Sequence, residues 1–373
     1  MQYHLILTDN CNLCCSYCRG KALGPSWGAD KDPDLDTSPP VDLDFDLSAL
    51  YRFLDQDSDA VLTFYGGEPL LTPGLIREIM DHAVVKGFIL HTNGTLLQEL
   101  GSAWINRFDC ILVSIDGPEI LNDRNRGCGT YQKIMENVMD VNSRGYQGEI
   151  IARMTVTEET DIYQAVSHLA ENESFSFPSI HWQMDANLWP DSPERGEFEQ
   201  WVRETYNPGV SSLVESWVSR MAETGFVPRW YPFLDTMEDL LYGRETLLRC
   251  GSGHANYSIM TDGSIVPCPI MVGMKPYYLG HVLTSVPSSL PKVPIRGPCT
   301  ACRLFSFCGG RCLYASITNP WPEHLRKVVC STVENLHASL TAALPGVKDM
   351  ISEGTISLRD FAHQKFNSCE IIP

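Results

Sequence analysis

Six short runs rich in β-branched residues alternate with helix-length segments through the first half of the chain. That alternation limits the fold more than any other feature. The runs fall at 3–8 (YHLILT), 60–64 (AVLTF), 88–91 (FILH), 110–115 (CILVSI), 149–156 (EIIARMTV) and 179–184 (SIHWQM), with stretches such as 74–86 and 130–144 between them. Strand–helix repetition implies parallel strands joined by crossover helices. The expected class is α/β, and six strands make a partial (β/α)6, TIM-like barrel rather than a complete eightfold one. Sites in such folds gather at the carboxyl ends of the strands. Residues 24–45, rich in Pro, Gly and Asp, read as a loop over the barrel mouth or an insertion. Residues 196–248 read as helical. After 250 the chain changes to short strands, turns and cysteines, with NYSIMTDGSIVPC as a hairpin turning at Asp262-Gly263. The tail after Cys330 reads as mostly helical.

Fourteen cysteines in 373 residues need a reason. Eleven fall in two groups, at 11–18 and 250–330. The N-terminus has no basic region ahead of its apolar run and no small-residue cleavage site, so no secretory signal is expected. No stretch of 18 apolar residues predicts a membrane span. The expected location is cytoplasmic, where thiols stay reduced and closely spaced cysteines bind metals or iron–sulfur clusters. A net charge of −18 argues against nucleic-acid and anionic-membrane partners.

Cys11, Cys15 and Cys18 are spaced C-x3-C-x2-C just past the first predicted strand. Three thiolates hold three irons of a [4Fe–4S] cube and leave the fourth open to a ligand, whereas an electron carrier needs all four held. A zinc site held by cysteines alone is the competing reading. Cys14 does not fit this spacing and reads as a buried packing residue. The loop resembles that of the radical S-adenosylmethionine (SAM) enzymes. The resemblance implies that the open iron chelates SAM, that a reductant such as ferredoxin or flavodoxin supplies an electron, and that SAM cleavage gives a 5′-deoxyadenosyl radical. Tyr17, just before the last cysteine, would then lie near the adenine.

Further segments follow in the order this family requires. YGGEP, with Gly66, Gly67 and Glu68, follows the second strand and by resemblance binds the SAM amino group; two glycines let backbone approach a ligand closely. HTNG after the third strand offers Thr92 and Asn93. In SIDG, Ser114 and Asp116 point the same way on an extended chain, which suits a ribose diol. NDRNRG resembles the family's segment after strand four, with Arg126 structural. Arg153 matches an arginine that pairs with the SAM carboxylate in relatives, or is a barrel-wall ion pair. Met184 lies against the adenine or in the core. His91 and His181 read as packing residues. No catalytic base is assigned.

The second group runs Cys250, Cys268, then Cys299, Cys302, Cys308 and Cys312 spaced C-x2-C-x5-C-x3-C, and finally Cys330, with Gly263 five positions before Cys268. This resembles the SPASM domain of peptide-modifying radical SAM enzymes, which implies two auxiliary [4Fe–4S] clusters. Cys299, Cys302, Cys308 and Cys330 would hold the outer one. Cys250, Cys268 and Cys312 would hold the inner one, a ligand short. Cys110, Cys128, Cys369 or a non-cysteine residue would complete it, or its iron is open. Structural zinc knots are the alternative. Pro269 stands where sulfatase-maturing relatives carry an aspartate, which argues against formylglycine formation.

The expected organisation is a barrel at 1–195, a helical bridge at 196–249, a SPASM region at 250–335 and a helical tail at 336–373. The expected partner is a peptide or protein substrate, with or without a leader peptide. No N-terminal peptide-recognition domain is evident, since the first strand begins at residue 3. The product would be a thioether or carbon–carbon crosslink or a similar modification. The alternatives are a SPASM-type enzyme acting on a small molecule, and a non-enzymatic zinc- or cluster-stabilised binding module.

Overall fold

The computed structural model describes residues 1–18, 35–185 and 196–365. Much of the 24–45 segment, and Cys369, lie outside them. Strands β1 (Gln2–Ile6), β2 (Val61–Tyr65), β3 (Gly87–Thr92), β4 (Cys110–Ser114), β5 (Glu149–Val156) and β6 (Ser179–Met184) match the six sequence runs within two residues at each end. Strand order follows the chain from β1 to β6, as sequential strand–helix–strand crossovers produce. β1 is buried at every position, as befits a parallel strand covered on both faces. The intervening helices are α1 (Leu47–Leu54), α2 (Pro73–His82), α3 (Ser102–Ile105), α4 (Glu119–Arg126), α5 (Thr130–Ser143) and α6 (Ile162–Ala170).

Helix starts are written locally. Asp46 accepts from Ser48 N to cap α1, Asp161 accepts from Gln164 N to cap α6, and Pro73 opens α2 where an N–H would have no intrahelical partner. Asp123 gathers the N–H groups of Gly129 and Tyr131, closing the turn between α4 and α5.

The chain divides into two compact units. The first comprises 1–115, 122–151 and 251–294, and the second 116–121, 152–250 and 295–373. In the first, β8 (Asn256–Ile259) pairs parallel with β1, on the edge opposite β2. The hairpin read from sequence is real: β8 and β9 (Ser264–Val266) are antiparallel, and β10 (Gly280–His281) adds to β9. It therefore packs in the same unit as the first barrel strands. The cause is β1's otherwise unpaired edge, whose N–H and C=O groups need partners. His4 Nδ1 also meets Asn256 Oδ1 at 2.8 Å across that pairing.

In the second unit, β6 pairs parallel with β7 (Arg229–Trp230). The 196–248 stretch is helical as expected apart from β7. It holds α7 (Gly196–Trp201), a π-helical turn at Val202–Tyr206, α8 (Asn207–Thr224) and α9 (Tyr231–Tyr242). The cysteine-rich end adds α10 (Phe305–Cys308) and α11 (Leu313–Thr318), and α12 (Glu323–Glu353) makes up most of the tail. Buried Arg249 joins these parts, contacting Asp235 and Asp239 of α9 and the Phe307 carbonyl of α10. Among the described residues no helix is long and apolar enough to cross a membrane.

Candidate active site

The first cysteine loop leaves β1 at Thr8 and is pinned from below by the loop that follows β2. Gly67 N donates to Thr8 O at 2.7 Å and Glu68 N to Asn10 O at 2.8 Å. This contact explains the paired glycines. A Cβ on Gly66, whose φ is +142°, would sit 2.3 Å from Thr8 O, and one on Gly67 would sit 2.1 Å from Asn10 O. The close approach they permit is of backbone to backbone.

Glu68 is fully buried, and its carboxylate turns inward. It accepts from Leu70 N at 3.0 Å, Thr92 Oγ1 at 2.8 Å and Asn93 N at 2.7 Å. Burial pushes its carboxyl up to about 7, against the opposing pull of those three hydrogen bonds. It thus joins the ends of β2 and β3. Past β3, Asn93 Nδ2 donates to Asn12 Oδ1, Asn12 Nδ2 to Thr95 Oγ1, and Thr95 Oγ1 to Asn93 Oδ1, a closed ring of side chains. Asn12 and Thr95 were not among the residues expected from sequence.

Asn93 Nδ2 also lies 3.7 Å from Cys11 Sγ, and Leu13 N donates to the same sulfur at 3.4 Å. Although the residue is exposed overall, the protein packed around Cys11 pushes its thiol up; Glu68 and Cys18 nearby act the same way. On the loop's far side Ser16 N donates to Asn125 O at 2.8 Å, and the Arg126 guanidinium lies 5.5 Å from the Tyr17 ring centre. Arg126 therefore has the structural place the sequence suggested, packed against Tyr17. Cys14 is exposed rather than buried, because its tight loop turns it away from the sheet. His91 and His181 are buried.

Ser114 ends β4 in the first unit and is half-buried. In the second unit Asp116 is buried and accepts from Thr155 N at 3.0 Å. Arg153 donates from Nη2 to Gln183 Oε1 at 2.8 Å, while its Nε is buried with no partner among the described residues. Met184, next to Gln183, is buried.

The second cysteine group is split. Cys268 belongs to the first unit, and the other six to the second. Within the second, Cys299, Cys302, Cys308 and Cys330 lie near enough for their charges to interact. Burial is the main cause of the rise in Cys299, Cys308 and Cys330, and Cys308 reaches about 11. These are the four that the resemblance assigned to one cluster; Cys312 is not among them. Leu248 N donates to Gly309 O at 2.9 Å, which holds the segment leading to Cys250 against the turn between Cys308 and Cys312. Among the described residues, one trio of metal-ligating side chains has its ligand atoms within 4.8 Å of each other: Asp235, Glu238 and His363. The Lys365 ammonium already sits on it, 2.8 Å from Asp235 and 3.0 Å from Glu238. No cysteine trio there is as tight.

Residues 5–168 match the Radical SAM superfamily. Over these residues the chain carries a radical SAM domain. The radical SAM family implies SAM and a [4Fe–4S] cluster as cofactors. An uncharacterized protein of Methanothermobacter thermautotrophicus is 27% identical over 241 residues, covering 60% of this chain and 82% of that protein. Two solved structures share the fold. Native anSMEcpe with bound AdoMet superposes with a TM-score of 0.70 at 18% identity, covering 94% of this chain and 100% of that one. anSMEcpe has also been solved with AdoMet and the Cp18Cys peptide. Streptococcus suis SuiB bound to precursor peptide SuiA gives 0.55 at 14% identity, covering 84% of this chain and 72% of SuiB.

Three cysteines on one loop suit a [4Fe–4S] cube that keeps one iron open, whereas a closed structural zinc site takes four protein ligands. Two N–H donors on Cys11 Sγ suit a sulfur that stays anionic.

Proposed function

We propose that Cys11, Cys15 and Cys18 hold the SAM-binding cluster, and that the enzyme modifies a peptide or protein. Such a cluster would supply the electron for reductive SAM cleavage, and so the hydrogen-atom abstraction by which the substrate is modified. The chain's own task is to hold three thiols and leave one iron open. The β2 loop, Glu68 and the Asn12–Asn93–Thr95 ring fix the loop from one side, and Asn125 and Arg126 from the other. Tyr17, Ser114, Asp116, Arg153 and Met184 are proposed SAM contacts, with the orphaned Arg153 Nε as the best-motivated of them.

The observation that carries the peptide reading is the second thiol set. Cys299, Cys302, Cys308 and Cys330 lie near enough for their charges to interact and follow a SPASM-like spacing, which suits the four-thiolate ligation of an auxiliary [4Fe–4S] cluster. Cys250, Cys268 and Cys312 are proposed to hold a second auxiliary cluster. The barrel residues 1–195 would carry the SAM chemistry, and 250–335 electron transfer and substrate anchoring. anSMEcpe and SuiB, which share the fold, have both been solved with peptides. The proposed product is a thioether or carbon–carbon crosslink or a related modification.

Iron and acid-labile sulfide after anaerobic reconstitution test this reading. About twelve of each per chain are expected for three clusters, against about four for the SAM-binding cluster alone. Reductant and SAM should then release 5′-deoxyadenosine, and a candidate peptide should change mass. Zinc in place of iron would overturn the reading. Clusters present with turnover of a sugar or alcohol instead would move the substrate to the small-molecule class.

A further inference from the structure

We propose that Asn93 is a positioning residue for the SAM-binding cluster rather than a contact to SAM: its amide donates to the Cys11 sulfur and raises the cluster's reduction potential. This rests on the reading of Cys11 as a cluster ligand.

A side-chain amide has two N–H donors and an oxygen with two lone pairs. Asn93 commits all four within the protein. Its Oδ1 accepts from Thr95 N at 3.0 Å and from Thr95 Oγ1 at 2.7 Å. A backbone N–H can only donate, so this contact fixes which end of the amide is oxygen. Nδ2 must then face the other way, where Asn12 Oδ1 lies at 2.8 Å and Cys11 Sγ at 3.7 Å. The ring leaves no alternative. Asn12 spends an N–H on Thr95 Oγ1 at 2.9 Å, so the Thr95 hydroxyl proton goes to Asn93. Asn93 is buried, and its backbone N–H is held by Glu68. Nothing on this side chain is left over for SAM. One N–H is left over from the ring, and it points at the cysteine sulfur.

The consequence is electrostatic. An N–H aimed at a cluster sulfur favours the more negative, reduced state, and hydrogen bonds to the sulfurs are among the determinants of cluster potential. Removing this donor makes the cluster harder to reduce without removing a SAM contact.

The test is an EPR-monitored redox titration of the reconstituted full chain, following the reduced-cluster signal that changes when SAM is added. Asn93→Ala should shift the midpoint to lower potential, with the half-saturating SAM concentration unchanged. Asn93→Asp should shift it further, because it is isosteric but replaces the donor with an anion. Thr95→Val should shift it less than either, since the Thr95 backbone N–H still orients the amide. If Asn93→Ala fails to load iron, the isosteric Asn93→Asp decides. An unmoved midpoint with weakened SAM binding would overturn the proposal and make Asn93 a SAM contact. A wild-type protein with no SAM-responsive signal would instead remove the ligand assignment of Cys11, and this proposal with it.

Discussion

Replacing Glu68 with glutamine is the sharpest probe of how the β2 loop is built. The volume is unchanged, but one carboxylate oxygen becomes an NH2 group. With the amide oxygen in the place of Oε1, the Leu70 and Thr92 contacts survive and the NH2 confronts Asn93 N–H; flipped, the amide loses both others. Either way a buried donor goes unmatched, at a cost of about 1–3 kcal/mol. The cost depends on pH. Burial pushes Glu68 up to about 7, so the folded protein keeps this proton through a range in which the unfolded chain, near 4.5, has lost it. Fewer protons on the unfolded chain mean that stability falls as pH rises across that window. Each unit is worth about 1.4 kcal/mol, so between pH 5.5 and 7 the wild type loses about 2 kcal/mol that glutamine, which does not titrate, never had. Urea denaturation of the apo protein, reduced and anaerobic, should therefore show a deficit for Glu68→Gln at pH 5.5 that shrinks by about 2 kcal/mol at pH 8. A deficit equal at both pH values, or larger at pH 8, would refute the reasoning. Glu68 would then be an ordinary ionised carboxylate whose hydrogen bonds outweigh its burial.

Four further outcomes are expected. Gly67→Ala places a Cβ against the Asn10 carbonyl, and should cost about 1–3 kcal/mol and lower iron loading, read by urea melts and iron assay. Arg249→Met leaves Asp235 and Asp239 facing each other without the guanidinium they share, and should destabilise by about 3–5 kcal/mol in the same melts. Burial opposes ionisation of Asp235, but His363, Arg249 and Lys365 outweigh it and hold the carboxyl well below its usual range. The stability this gives is present above the unfolded value, near 3.8, and should be lost as pH falls below it, an acid limb that Asp235→Asn removes from a pH series of melts. Asp161→Ala deletes the α6 cap and should cost about 1 kcal/mol without changing iron content.

The barrel was legible because its code is local. Buried parallel strands read as continuous apolar runs, and β5 and β6 fall on the residues those runs marked. The pairing of β8 with β1 was not legible, since nothing within 256–268 records which distant edge it will meet. β7 and β10, at two residues each, are too short to carry a period. At the site, GGE could be found but not interpreted. Sequence suggests a segment that meets the SAM amino group, and the structure adds that its glycines admit the neighbouring Thr8–Asn10 backbone and that Glu68 holds Leu70, Thr92 and Asn93. Asn12 and Thr95 are marked in the sequence by their polar character. Polar side chains flanking a cysteine loop and ending a buried strand must find partners, and HTNGT supplies Thr92, Asn93 and Thr95 within four residues beside Asn12 in the loop.

The two thiol sets divide the proposed work by what each leaves unsatisfied. Three cysteines on the first loop cannot complete a cube, and the surrounding polar groups do not complete it for them. Glu68 holds the Asn93 N–H, Asn12 and Thr95 hold the Asn93 side chain, and Asn93 alone of them reaches the Cys11 sulfur, so on this reading the open coordination position falls to a ligand from outside. The second set has four neighbouring thiols in a single unit. Burial and then the neighbouring thiols push Cys308 and Cys330 up, while Arg311, and at Cys330 also Arg326, pull the other way. A cubane core supplies the positive charge that four adjacent thiolates need, and four ligands close it. A closed cluster exchanges electrons or holds structure, whereas an open one binds and activates. On this reading the chemistry begins at the loop after β1, and the C-terminal cysteines serve it without competing for SAM.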